Sequence, residues 1–363
     1  MTSSKGNSNV IHLPSSHLAI SEAVDVLLSG HLVAFPTETV YGLGADAENP
    51  EAIGRIYQAK GRPSNHPVIV HVAPDADLSY WVAALPWQAQ RLIDQFWPGP
   101  LTLILKRAAH IPQEVSGGQD SIGLRCPSHP IAIELLRAFA RGKPSGQGGI
   151  AAPSANQFGH VSPTHASHVR EEFPEQLAEG MPVLEGGASE VGIESTIIDL
   201  SRVDSGIGPV LLRPGFISAE QIEAVLGQAV LEPDTEAPRV SGTLKSHYAP
   251  QTPLALATIT ELALLAQQPS INDVSRRIAL VSHSTPVSSV VRHPQVDWIA
   301  ASADPVIYAH DLYMQLRELD KEGYARIVFE QVPDTPAWLA VRDRLSRAAA
   351  DKDIKQNGEG SHT

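Results

Sequence analysis

Two stretches of this chain alternate helical and strand periodicity, and an acidic, proline-rich segment at 232–238 divides them. That alternation constrains the fold more than any single motif. Apolar positions spaced near 3.6 residues and short apolar runs need different packing partners, and their interleaving points to an α/β protein. In the first stretch Ile20, Ala23, Val24, Leu27 and Leu28 share a helical face, and Gly30 follows as a stop. Residues 32–35 are an apolar run cut off by Pro36, which predicts a buried strand. Asn49, Pro50 and Glu51 supply a cap, a first-turn proline and an acid. The helix they start continues through Ile53, Ile56 and Tyr57 to Lys60 and Gly61. Further strands are expected at 68–72, 101–105, 122–124, 150–152, 183–184, 196–200 and 210–212, and helices at 87–96 and 131–139. Several strands follow one another directly near the end, which favours a mixed sheet over a purely parallel one.

The second stretch, 253–349, reads βαβ–β–α–β–α. Its strands are expected at 254–257, 278–281, 298–300 and 327–329, and its helices at 261–267, 306–319 and 337–348. This is a small Rossmann-like pattern without a glycine-rich fingerprint. The polar ends, 1–14 and 350–363, read as disordered. No apolar run approaches bilayer-spanning length, and the single cysteine, Cys126, excludes an internal disulfide. A cytoplasmic setting is expected.

The net charge is −13, and the acidity is spread: residues 1–215 hold 14 Lys and Arg against 21 Asp and Glu. Such a balance argues against a broad nucleic-acid footprint. An anion site in this chain is a local basic pocket, suited to a small phosphorylated ligand. Residues 60–71 mark where that pocket forms. Lys60 and Arg62 flank Gly61 at a helix end open to solvent, and His66 and His71 follow around a proline turn. The segment also reads as an ordinary helix stop, with glycine, proline and cations at the negative end of the dipole.

Other segments supply complementary chemistry. Thr37 lies in a hydroxyl-rich loop after a strand, a usual place for ligand contacts in α/β folds, although a capped turn has the same pattern. Ser154 and Asn156 also follow a strand, with Ser162 and Thr164 close behind. No G-x-S-x-G elbow surrounds Ser154, so its hydroxyl suits ligand binding, or a helix cap, better than nucleophilic attack. Arg125 and Arg213 each end an apolar run, and Ser195 sits in a small-residue loop before another. No P-loop motif is present, and 146–149 is not a dinucleotide fingerprint. His160, His165 and His168 cluster without a cysteine or an H-E-x-x-H motif, so a dedicated metal site is not expected there.

Nine motifs occur in a telling order: PTETVYGLG (36–44), YQAKGRP (57–63), HPVIVHV (66–72), WPGPLTLIL (97–105), IGLRCP (122–127), APSAN (152–156), SPT (162–164), GIESTIIDL (192–200) and LLRPG (211–215). Together they resemble the YrdC-type threonylcarbamoyl-AMP synthases. Ser241 to Pro250, reading S-G-x4-H-Y-A-P, resembles the linker of the two-domain form. The resemblance implies a YrdC-like twisted mixed-sheet α/β domain over 15–227, a linker over 228–252 and a small Rossmann-like α/β domain over 253–349. It implies an enzyme that joins L-threonine, bicarbonate or CO2, and ATP into threonylcarbamoyl-AMP and pyrophosphate. Other proteins would then transfer the threonylcarbamoyl group to tRNA, and Mg2+ would enter with ATP rather than on dedicated protein ligands.

By the same resemblance, Thr37, His71, Arg125, Ser154 and Ser195 line the threonine side. Lys60, Arg62, His66, Ser121, Asn156, Thr164 and Arg213 line the ATP side, with Lys60 and Arg62 carrying the transition-state charge. Ser241, His247 and Tyr248 would form a lid that excludes water. His66 departs from the family pattern, which more often has asparagine there, and 141–149 looks like an extra flexible loop. A second reading, an RNA-binding module without synthase activity, is disfavoured by the acidic balance. A third, a maturation domain handling another carbamoyl-adenylate, lacks the acylphosphatase-like and zinc-finger blocks it needs.

Overall fold

A computed structural model describes residues 17–244, 247–269, 276–284 and 292–350. Apart from Ala350, the polar ends expected to be disordered lie outside the described residues. The first helix, α1 (His17–Leu28), buries Ile20, Ala23, Val24 and Leu27, the face its periodicity marks out. Gly30 follows in the left-handed region at φ 78°. Strand β1 (Val33–Phe35) turns through a loop into β2 (Gly42–Asp46). Helix α2 (Pro50–Lys60) is capped by the Asn49 side chain, which accepts from the Glu51 and Ala52 amides. Gly61 ends it at φ 58°. Then come β3 (Ile69–His71), α3 (Trp87–Phe96), β4 (Leu101–Lys106), β5 (Ser121–Arg125), α4 (Pro130–Gly142) and β6 (Ile150–Ala151). Short helices α5 (Ala166–Glu172) and α6 (Pro174–Ala178) precede β7 (Thr196–Asp199), β8 (Val210–Arg213) and α7 (Ala219–Leu226).

These strands form one eight-stranded mixed sheet, ordered β1-β2-β6-β3-β5-β4-β7-β8. Only β3–β5 and β4–β7 pair in parallel. Central strands from distant parts of the chain thus end side by side. His71 pairs with Arg125 across β3–β5 and with Ile150 across β3–β6.

Strand β2 departs from expectation, since its residues read as the end of a ligand loop. Glycine is a poor strand former, yet here it is required. A Cβ on Gly44 would stand 2.7 Å from Ile150 and 2.8 Å from Phe35. Residues 183–184, expected as a strand, make a single bridge from Val183 to Ala34. Helix α7 was not expected, although its capping box, Ser218 with Gln221, is legible in the sequence.

The glycine-rich segment before β6 is tied down rather than loose. Lys143 bridges Asp46 at 2.7 Å and Glu48 at 3.2 Å. The Gln147 side chain accepts from the Asp77 amide. Gly149 passes so close to buried Trp81 that a Cβ would meet its ring at 2.6 Å.

The second domain contains β9 (Leu254–Ala257), α8 (Ile259–Gln267), β10 (Ile278–Ser282), β11 (Val296–Ala300), α9 (Pro305–Lys321), β12 (Arg326–Glu330) and α10 (Leu339–Ala348). All four strands are parallel, as the pattern predicts, in the order β11-β10-β12-β9. The last strand therefore separates the first two. The domains share an apolar cluster: Val40, Val161 and Ile193 of the first pack with Tyr248 of the linker and Leu312, Tyr313 and Leu316 of α9. At Gly192, φ 80°, an added Cβ would lie 2.3 Å from the His310 carbonyl oxygen, so the two backbones touch there.

Gly149→Ala should cost about 1–3 kcal/mol of stability through overpacking against Trp81. Urea unfolding of the variant checks this, and an unchanged midpoint would show that the loop can move aside.

Candidate active site

Lys60 and Arg62 lie at the end of α2, but not in solvent: they are 3% and 8% exposed. Lys60 falls on the buried face of α2 with Ile53, Ile56 and Tyr57, under the loop that follows β6, and Arg62 follows the αL turn at Gly61. Lys60 donates to the Ser154 carbonyl at 2.7 Å and to the Asn156 carbonyl. Arg62 donates to the Pro67 carbonyl at 2.8 Å and to the Ser241 hydroxyl at 3.0 Å. Its Nε has no partner. Burial and the neighbouring Arg62 hold the Lys60 ammonium well below its usual pKa. Burial also lowers Arg62, to about 10.

Two more arginines end strands beside them. Arg213, at the end of β8, donates to the Ser195 carbonyl and hydroxyl and to the Ser241 carbonyl. Arg125, at the end of β5, stands 2.7 Å from a Glu38 carboxylate oxygen. Its Nε is unpartnered, and that pair is not aligned as a hydrogen bond. Neighbouring His71 stands edge-on to Phe35 with Nδ1 free of any bond.

One pocket gathers Thr37, Lys60, Arg62, His71, Arg125, Ser154, Asn156 and Arg213, and the linker closes it with Ser241, Gly242, His247 and Tyr248. The remaining expected residues surround this pocket without lining it. Ser195 is fully buried behind Arg213 and is bonded to Thr102 at 2.8 Å. Ser121 lies in an adjoining hollow with Gly123, Arg239 and Ser241. His66 sits at the rim against Phe158, whose ring also meets His247. Thr164 is buried, and its hydroxyl has no bond.

Thr37 does two things. Its hydroxyl donates to the Val40 carbonyl and accepts from the Thr39 and Val40 amides, so it builds the turn whose wall it forms. Lys245 and Ser246 of the linker lie outside the described residues.

The free space is about 40 Å3, room for roughly three waters. Two linker features make the closed form specific. Gly242, at φ 81°, leaves 2.2 Å between its missing Cβ and the Tyr248 hydroxyl. Tyr248 holds a left-handed φ of 61° and stacks on Tyr313 of α9, centroids 5.5 Å apart.

Sequence reasoning assigned no role to two acids. Glu38 lies inside the first motif and pairs with Arg125. Glu194, inside GIESTIIDL, lines the pocket and accepts from Ser162 at 2.5 Å, Tyr313 at 2.8 Å and Arg344 at 2.9 Å. Burial alone would raise Glu194, but Arg344, Arg213 and these hydrogen bonds hold it at about 2. An acid within a run of small and apolar residues was the available signal in both cases.

The fold and site define an α/β protein with an anion pocket, roofed by an interdomain strap, at the ends of mixed-sheet strands. The chain belongs to the Sua5–YciO–YrdC family: that family's model, described as telomere recombination, matches residues 25–215. A second model, the threonylcarbamoyl-AMP synthase C-terminal domain, matches residues 217–350. The threonylcarbamoyl-AMP synthase of Bacillus subtilis is 38% identical over 349 residues, 93% of this chain and 94% of that protein. Its namesake in Pyrococcus abyssi is 36% identical over 347 residues, 92% and 94%. The crystal structure of P. abyssi Sua5 complexed with L-threonine superposes with a TM-score of 0.77 at 33% identity, covering 91% of this chain and 94% of that one.

Burial pushes His71 and His247 each down to about 3, with Arg125 adding to the effect on His71 and Arg62 and Lys60 on His247. Unfolded, each titrates near 6.5. Below that pH the unfolded chain binds protons that the folded chain refuses. Stability present above pH 6.5 is therefore lost as pH falls toward 3, by about 2 kcal/mol per histidine at pH 5. Glu194, with an unfolded value of 4.5, contributes only to losses at lower pH. Thermal midpoints at pH 7 and pH 5 test this: the midpoint falls, and falls less in His247→Gln. A flat profile would contradict neutral burial.

Proposed function

We propose that this chain is an L-threonylcarbamoyladenylate synthase, a nucleotidyltransferase-type enzyme. It converts L-threonine, bicarbonate or CO2, and ATP into threonylcarbamoyl-AMP and pyrophosphate, for threonylcarbamoyladenosine modification of tRNA. The observation that carries this reading is the convergence of four buried cations on one strap-closed pocket, in a chain whose full-length relatives carry that activity's name.

The chemistry demands little covalent participation by the protein. A neutral threonine amine attacks CO2 to give a carbamate, and the proton lost from nitrogen passes to solvent. A carbamate oxygen then attacks the α-phosphorus, and pyrophosphate leaves with the electron pair of the broken P–O bond. Such a displacement requires alignment and charge neutralisation. Arg125 has an unpartnered Nε for the threonine carboxylate, and Glu38 stands 2.7 Å from its guanidinium. Thr37, His71 and Ser154 share its part of the pocket. Lys60, Arg62 and Arg213 face the phosphates, and Ser121 in the adjoining hollow faces the nucleoside. A triphosphate supplies the counter-charge that the lowered Lys60 and Arg62 lack.

Mg2+ arrives as part of the nucleotide substrate. Glu194 of the lining and Glu38 beside Arg125 each stand against an arginine. The strap acts as a lid. Ser241 occupies Arg62 and Arg213 until phosphate oxygens displace it, and reclosure over the product keeps water from the adenylate. The product passes to tRNA-threonylcarbamoyl transferase proteins. Among the described residues no helix is long and apolar enough to cross a membrane. A cytoplasmic setting suits the substrates.

Incubation with ATP, bicarbonate and each amino acid in turn, followed by mass detection of the adenylate, tests the reading. Only threonine should yield product in quantity, and equal yields from other amino acids would overturn it. Lys60→Met, which keeps the buried stem, should lower kcat/KM for pyrophosphate release by about 100-fold or more. Its unfolding curve separates loss of charge from loss of fold.

A further inference from the structure

The pocket wall contains one feature that opposes its chemistry. Glu194 is a fully ionised carboxylate in the lining of a site built for anions. Left alone, it would repel a polyphosphate and draw Arg213, a lining cation that acts on it, into an ion pair. The structure shows a different pairing. Arg213 directs its hydrogen bonds to neutral oxygens of Ser195 and Ser241. Glu194 instead meets Arg344 of α10, whose side chain is fully buried, and the Tyr313 hydroxyl of α9. Both partners come from the second domain. The same two residues hold the lid, since Tyr248 stacks on Tyr313 and the Arg344 guanidinium stands 5.4 Å from the Tyr248 ring. Arg344 also meets Asp343, which Arg347 shares, and Arg347 donates to the strap at the Leu244 carbonyl.

We propose that Arg344 is a positioning residue of the nucleotide site: it neutralises Glu194 across the domain boundary, so that Arg213 stays on neutral oxygens that a triphosphate can displace, rather than in an ion pair. The second domain thereby sets the affinity for nucleotide without touching it. This rests on the synthase reading only in taking ATP as the ligand. Threonine binding, governed by Arg125 and its own acid Glu38, stays outside the effect.

The test is calorimetric binding of Mg2+–α,β-methylene-ATP and, separately, of L-threonine to the full chain. Arg344→Met should weaken the analogue by about tenfold or more and change threonine by less than about threefold. The double variant Glu194→Gln with Arg344→Met removes both buried charges together, which protects its folding, and should bind the analogue within about threefold of wild type. That rescue distinguishes charge balance from scaffolding, because the double variant has lost more interdomain contact than the single. If Arg344→Met fails to fold, the double variant decides alone. Analogue binding in the double variant about tenfold weaker than wild type overturns the proposal, as does unchanged binding in a folded Arg344→Met. Wild type that binds the analogue with this pattern but forms no adenylate would sink the synthase reading and leave the charge balance standing. Wild type that does not bind the analogue would overturn both.

Discussion

Four cations, Lys60, Arg62, Arg125 and Arg213, are buried in one pocket of a protein whose net charge is −13. Removing a charge from water costs several kcal/mol unless paired or well hydrogen-bonded. Much of the surrounding architecture meets that cost. The loop after β6 turns two carbonyls onto Lys60. Ser195 gives Arg213 a carbonyl and a hydroxyl. Glu38 stands beside Arg125, and the strap delivers Ser241 to Arg62 and Arg213 together. The compensation is deliberately incomplete in chemical terms: Nε of Arg62 and of Arg125 and Nδ1 of His71 keep no partner. Unspent hydrogen-bonding capacity in a buried site favours a ligand rich in oxygen.

The sheet order explains how a chain with its cations at positions 60, 62, 125 and 213 brings them together. Strands β3, β5 and β6 are neighbours, so the ends of β3 and β5 place His71 beside Arg125. The buried face of α2 brings Lys60 to the same pocket, and Arg62 follows the αL turn at Gly61. Strand β8, at the sheet edge, reaches the pocket through the long Arg213 side chain, anchored on the loop before β7.

Much of this was legible in the sequence, and what was not has a physical reason. Caps, breakers and apolar periodicity are local, and the helices at 50–60 and 87–96 follow from them. Strand β2 was hidden because its glycines serve a close approach to Phe35 and Ile150, a tertiary demand that overrides strand propensity. Lys60 and Arg62 were expected in solvent, because a helix end with cations looks exposed until a loop about 95 residues away covers it. The pocket cations carried a sequence signal. Glu194 carried a faint one, and Arg344 and Tyr313 none, since a buried pair 150 residues apart leaves no spacing to read. The resemblance to a known family supplied the order of motifs, not the partnership between domains.

That partnership bears on why the lid belongs to a linker rather than to a loop of the first domain. Among its described residues, the strap hydrogen-bonds to two of the pocket cations, Arg62 and Arg213, through neutral oxygens of Ser241. Further contacts come from the other side. Tyr248 is held between Tyr313 and Arg344, and the His247 amide donates to the Arg347 carbonyl. The strap is therefore held by aromatic and cation–π contacts with the second domain and by Ser241 on Arg62 and Arg213. The two sets of contacts are made by different residues of one short segment. In the proposed reaction phosphate oxygens compete with Ser241 alone, so the contacts of Tyr248 with the second domain persist and favour reclosure over product.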